Sequence, residues 1–325
     1  MNWILGILFI FTIIFLLNNF SSKKKLSKLK EKLIKNWGKP KSEKYFNFYV
    51  IGKYFENNAH KNSAFHIISD KCKADLDIDE IFKFVDRTSS KIGQQYLYFK
   101  LRTISSIENL LKFDTLTQLF NKNETLRVKC QILLSKLNSN ESYYLEELIN
   151  GKQIDKPKII SLVYLLSILS LTSIFLTFFY PGFILFLFPI FITNMFFHYK
   201  NKSNVSYYLN GVSQLSKSLK VSEKLAEFSE IKHLFKDLSF IKKIKSIKAK
   251  TEFIEFEKLL SNEYALVFWF FIEFIKILFN IEYLVFYSFI DAITKEKESI
   301  EKTYCFLGEI DTAISTASLK AGGYK

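Results

Sequence analysis

The chain has 325 residues, 49% of them hydrophobic and 17% aromatic, with a mean hydropathy of +0.08, a formal net charge of +14 and a pI of about 9.3. That length holds two domains or one elongated one, the hydropathy predicts membrane segments, and the positive balance favours polyanions such as nucleic acid or anionic lipid. Lys, Asn, Ile and Phe are abundant together, however, and A/T-rich codons produce that bias without any nucleic-acid role. The three cysteines, Cys72, Cys130 and Cys305, are widely spaced and form no CxxC pair, which argues against a disulfide framework or a zinc site. His60 and His66 lie six apart, and no carboxylate cluster in the sequence supports a metal site around the four histidines.

Residues 3–17 form an uninterrupted apolar run, and Ser21-Ser22-Lys23-Lys24-Lys25 follows shortly after. A cleavable signal peptide carries its charge before the apolar region, so a retained anchor with its C-terminal side in the cytoplasm is expected. The run is short for a span of about 20 residues, and an interfacial or partner-packed helix is the alternative. Residues 20–44 are lysine-dense, with Leu26, Leu29, Leu33 and Ile34 at helical spacing. A basic amphipathic helix beside an anchor is expected to lie on anionic headgroups through Lys23, Lys24, Lys25 and Lys28, with nucleic acid as the alternative partner. Gly38, Pro40 and Gly52 break the pattern, and the stretch to Lys73 reads as an irregular connector.

Residues 75–103 couple a short alternating apolar run (Leu76, Ile78, Ile81, Phe82, Val85) to an Asp-Arg-Thr turn and then to a helix. Asp86, Thr88 and Ser89 are residue types that accept hydrogen bonds from the free N–H groups opening a helix. Ile92, Tyr96, Leu97 and Leu101 then recur at helical steps as one buried stripe. Gly93 stands one turn inside, where glycine costs about 1 kcal/mol relative to alanine, which points to close packing there. Two further stripes follow, Leu110, Leu111, Leu116, Leu119 and Phe120, then Leu126, Val128, Ile132, Leu133 and Leu137, both expected in a bundle core.

Residues 159–179 are a full-length apolar span, Tyr180-Pro181-Gly182 a turn, and 183–197 a return. Lys152, Lys156 and Lys158 flank one outer end, and Lys200 and Lys202 the other, so both ends are expected in the cytoplasm. Residues 207–258 return to amphipathic helix, with Leu209, Val212, Leu215, Leu219 and Leu225 on one face. Lys242, Lys243, Lys245, Lys248 and Lys250, interleaved with Ile241, Ile244 and Ile247, are candidate phosphate contacts, a solvated surface being the equal alternative. Residues 264–290 are apolar but carry Glu273, Lys276 and Glu282. A buried cytosolic helix explains those charges at lower cost than a fourth span or an interfacial helix.

The pattern Asp86-x-Thr88, Gly93, Leu97, Leu101 resembles the opening of the core domain of MutS-type proteins of DNA mismatch repair. Residues 307–315, with Glu309 and Asp311, resemble the end of that core, which leads into the family's ATPase domain. The resemblance runs from about Asp75 to Leu319, with the apolar hairpin inside it. It implies an all-α fold in which Asp86, Thr88 and Gly93 position the core helix, while Glu309 and Asp311 sit near the ATPase junction. In the soluble members, lever helices carry a clamp that touches DNA. The mismatch-reading domain with its Phe-x-Glu motif is not recognisable here.

No GxxxxGK[ST] string occurs, and only Tyr324 and Lys325 follow Gly322-Gly323, so no nucleotide hydrolysis, catalytic residue, cofactor site or metal site is expected on these residues. ATP and Mg²⁺ are implied only for a C-terminal ATPase domain that would follow. The expected organisation is an anchor at 1–20, a basic juxtamembrane connector at 21–73, a first core segment at 74–157, a transmembrane hairpin at 158–198 and a second core segment at 199–325. The expected partners are membrane lipid, DNA, and a second copy of the chain or a MutS-like ATPase, at the cytoplasmic membrane. The alternative is a scaffold or signalling adaptor with no nucleic-acid role.

Overall fold

The computed structural model describes residues 20–21, 23–42, 45–57, 61, 64–151, 156–235, 237–244, 247 and 266–323. The expected anchor therefore lies outside the described residues except for Phe20, as do Lys245, Lys248 and Lys250. The described chain is helical almost throughout, and its one ladder pairs β1 (His66–Ile67) with β2 (Thr103–Ile104) antiparallel. All-α is thus the fold class.

The basic helix α1 covers 23–35. Its lysines are exposed, and its apolar side chains are only partly covered, Leu26 and Ile34 being exposed and Leu29 and Leu33 half-buried. After a connector come α2 (Phe48–Asn57), α3 (Asp70–Asp75) and α4 (Ile78–Val85). The run that reads as alternating in sequence is thus helical. Ile78 and Phe82, four apart, are buried, while Leu76 and Ile81 face out. Phe82 is the centre of a small aromatic cluster with Phe46, Phe48 and Tyr98.

Helix α5 (Lys91–Arg102) opens at Ser90, whose hydroxyl accepts from Gly93 N at 2.9 Å. The cap is one residue beyond the expected Asp86–Ser89 group, because Asp86 and Ser89 are taken up in contacts described below. Ile92 and Leu97 are buried as their spacing predicts, and Tyr96 and Leu101 are half-buried. Next come α6 (Ile107–Lys122), α7 (Glu124–Leu134) and α8 (Tyr144–Asn150). Leu116 and Phe120 enter the core, but Leu110 and Leu111 are exposed because the first half of α6 extends past it.

The hairpin comprises α9 (Ile160–Thr177), a 3₁₀ turn at Pro181–Phe183 and α10 (Ile184–Ala226). The segments Ile160–Thr177 and Pro181–Lys200 are long and apolar enough to cross a membrane, with mean hydropathies of 2.1 and 1.6. The expected boundary at residue 198 is not a structural one. Helix α10 runs through it for 43 residues, about 65 Å at 1.5 Å per residue, with Pro189 inside. Its later turns bury Val212, Leu215, Leu219 and Leu225 in the core.

Helices α11 (Ser229–Leu234) and α12 (Ser239–Lys243) follow, then α13 (Leu266–Leu278), α14 (Ile281–Lys295) and α15 (Lys297–Ala321). The single cytosolic helix expected over 264–290 divides at Asn280, which has φ +49°. α14 buries Tyr283, Phe286 and Phe289 in the core, whereas α13 packs on the hairpin and leaves Phe270, Phe271, Phe274 and Ile275 exposed. α15 is the central helix, enclosed on all sides from Ile310 to Ser315, with α5, α6, α7 and α10 around it.

Candidate functional site

The two segments singled out by their residues, 86–101 and 307–315, meet face to face where α5 crosses α15. Asp311 is fully buried, and its carboxylate accepts three hydrogen bonds, from Ser89 N at 2.8 Å, Ser90 N at 2.8 Å and Ser90 Oγ at 2.6 Å. A side chain on α15 therefore satisfies N–H groups at the opening of α5. Gly93 allows this approach, since a Cβ there would lie 2.1 Å from Asp311 Oδ2. One turn earlier on α15 the relation is reversed: a Cβ on Gly308 would lie 2.4 Å from Tyr96 Cγ. Ser315 extends the seam by accepting from Arg87 N at 2.8 Å and donating to Val85 O at 3.1 Å.

Asp86 closes the turn from the other side. Its Oδ1 accepts from Thr88 N at 3.0 Å and Thr88 Oγ1 at 2.6 Å, and its Oδ2 from Gln94 Nε2 at 2.7 Å and Lys41 Nζ at 2.9 Å. Burial alone would raise its pKa, but Lys41 and the hydrogen bonds from Thr88 and Gln94 outweigh it and hold the carboxyl below the usual range. Burial dominates at Asp311 despite its donors, and the carboxyl is pushed up to about 6. Glu309 pairs with Lys100 at 2.8 Å, and Leu97 packs under α5 in the aromatic cluster. Leu101 flanks the same cluster.

All seven expected motif residues thus fall on α5, the turn before it and the face of α15 toward them. Glu309 and Asp311 are 12 and ten residues before the end of α15, roughly 15–18 Å at 1.5 Å per residue. Both carboxylates of the seam are enclosed and fully used by donors, so the arrangement fastens helices. Beside it, a cleft of about 540 Å³ is lined by Tyr96, Phe99, Lys100, Phe306 and Glu309. The Cys305 thiol on its wall is pushed up by burial to about 12 and is no nucleophile near neutral pH.

No family model, curated protein or solved structure matches this chain.

A second polar cluster, which joins Glu273, Lys276 and Glu282 to His198, lies at the foot of the hairpin. His198 on α10 places Nε2 3.1 Å from Glu273 of α13 and Nδ1 3.6 Å from Glu282 of α14. Lys276 Nζ lies 2.7 Å from Glu273 and 3.6 Å from Glu282. His198, Glu273 and Glu282 bring one ligand atom each within 4.8 Å of one another, a donor set suited to a cation, but the Lys276 ammonium already supplies positive charge there. The signal in the sequence was Glu273 and Lys276 at i,i+3 inside an apolar run. Their partner was hidden because His198 is 75 residues away.

The candidate polyanion contacts divide. Lys242 and Lys243 are exposed on α12, while Ile241, Ile244 and Ile247 are buried, which is the interleaving that their spacing predicts. The candidate lipid contacts Lys23, Lys24, Lys25 and Lys28 are all exposed on α1.

Proposed function

We propose that this chain is a membrane-attached helical lever, similar to the core of MutS-type proteins. It would couple a P-loop ATPase, supplied in cis or in trans, to DNA or another partner at the cytoplasmic membrane. A second copy of the chain, or a MutS-like ATPase, is the protein partner in this reading, and ATP and Mg²⁺ belong to that ATPase. The observation that carries it is the α5–α15 seam. The two segments that resemble the opening and the end of the MutS core are more than 200 residues apart in sequence, yet they are joined by Asp311, Gly93 and Gly308. The continuity of α10 supports the mechanical part, because one helix runs from the apolar hairpin into the bundle around α15.

In this reading the hairpin crosses the bilayer with both ends in the cytoplasm, where Lys156 and Lys200 flank it. Lys242, Lys243, Lys245, Lys248 and Lys250 are the phosphate contacts. The test uses the full chain in nanodiscs of uncharged lipid, titrated with duplex DNA. Five phosphate contacts predict a loss of affinity of at least about two orders of magnitude between roughly 50 and 200 mM salt. Absence of binding at low salt, or binding indifferent to salt, would remove DNA from the reading.

A second reading, a membrane scaffold without a nucleic-acid role, is favoured by α1. Its lysines are exposed, and Leu26 and Ile34 of its apolar stripe are exposed beside them. It predicts tight binding to anionic vesicles by a protein that ignores DNA.

A further inference from the structure

We propose that α13 is a further membrane-embedded element beside the hairpin, whose Phe270, Phe271, Phe274 and Ile275 contact lipid acyl chains. This rests on the membrane reading of the hairpin and extends it to the helix packed against it.

The first observation is an inside-out distribution. Glu273 and Lys276 are buried toward the hairpin, together with Ile277, whereas the stripe i, i+1, i+4, i+5 from Phe270 is apolar and exposed. A helix in water shows the opposite order, because exposed phenyl rings and buried charges are each unfavourable there. Lipid reverses both terms: the rings meet an apolar solvent and the charges turn inward to pair with one another.

The second observation is how the helix ends. The last carbonyls of a helix have no partner within it, and at membrane depth water cannot serve. Here Asn194 Nδ2 of α10 donates to Leu278 O at 2.8 Å, and the Ser167 hydroxyl of α9 lies 2.9 Å from Phe279 O, sharing its one proton with Val163 O at the same distance. Side chains of the two apolar helices thus cap the end of α13. Asn194 is six residues inside Lys200, and Ser167 seven inside Ile160, which puts the cap roughly 10 Å from the charged end of the hairpin. α14 runs from its Asp291 pair with Lys156, at the foot of α9, up to Asn280, about 16 Å of helix. Finally, Phe274 stacks on Phe191 of the second apolar segment at 5.0 Å, so the exposed face of α13 is continuous with that of the hairpin.

The test is to reconstitute the full chain in liposomes containing a phospholipid with a photoactivatable carbene precursor midway along one acyl chain, irradiate, and map adducts by mass spectrometry. Adducts are expected on outward residues of the hairpin such as Leu171, Phe175 and Phe188, and on Phe270, Phe271 and Phe274. Ile107, Leu110 and Leu111 on α6 are equally exposed and apolar, and they serve as the internal control, expected to remain unlabelled. Labelled hairpin with unlabelled α13 would overturn this inference alone and leave the hairpin in the bilayer. An unlabelled hairpin would overturn the membrane reading and this inference with it. Labelling of the α6 residues to the same extent as α13 would also overturn it, since exposure rather than lipid contact would then set the yield.

Discussion

Gly93 and Asp311 occupy space that neither could yield. Replacing Gly93 with alanine forces a Cβ into the Asp311 carboxylate, and the cost should reach about 3 kcal/mol, the upper end for overpacking. In an Asp311→Gly background the same substitution should cost far less, a coupling that a double-mutant cycle of chemical denaturation would measure. Additive costs would mean that the two residues do not meet. Asp311 also sets a pH dependence. Its folded pKa of about 6 lies above the unfolded value, so between pH 4 and 6 the folded state holds a proton that the unfolded chain has released. Its contribution to stability therefore falls as pH rises through that window, by about 2–3 kcal/mol at 1.36 kcal/mol per pKa unit, and is flat above it. Asp86 acts in the opposite sense, adding stability above the unfolded carboxylate range and losing it on acidification. Asp311→Asn should abolish the downward slope between pH 4 and 6 in the apparent Tm. An unchanged slope would assign it to another group. At this scale the sequence was informative where a single residue bore an unusual cost. Gly93 signalled close packing by itself, but its partner 218 positions away did not.

Among the elements, regular periodicity made α5, α6, α7 and the hairpin readable, since a buried stripe needs only its own residues to be seen. What escaped was continuity. Residues 198–206 change from apolar to polar, which looks like a boundary, yet they contain no glycine or proline to stop a helix, and α10 passes straight through. The charged positions Glu273, Lys276 and Glu282 were visible in the sequence, but their pairing with His198 across α10, α13 and α14 exists only in the fold. The quartet His198, Glu273, Lys276 and Glu282 makes a test of whether it does more than hold helices together. Glu273→Leu alone should cost about 3–5 kcal/mol, because it leaves the buried Lys276 ammonium short of negative charge. Replacing all four by apolar residues of similar volume should be close to neutral for thermal stability in detergent. A large loss in the fourfold variant would mean that the charges themselves are required.

For the molecule as a whole, the charge of +14 is distributed along the chain rather than confined to one patch. The share on α1 has a defined expectation. Lys23, Lys24, Lys25 and Lys28 are exposed on the helix that also exposes Leu26 and Ile34, and each lysine near an anionic surface contributes about 1 kcal/mol. Replacing all four with glutamine should weaken partitioning into phosphatidylserine vesicles by more than a hundredfold in a flotation assay, with little change for uncharged vesicles. Equal losses on both lipids would place the effect in folding. The length of α10 has a consequence of another kind. A helix seated in a bilayer tilts when the hydrocarbon thickness changes, and a rod of about 65 Å tilted by about 10° moves its far tip by roughly 10 Å. That tip is built into the bundle around α15, so if the hairpin crosses the bilayer as proposed, membrane thickness becomes a mechanical input to the protein's interior.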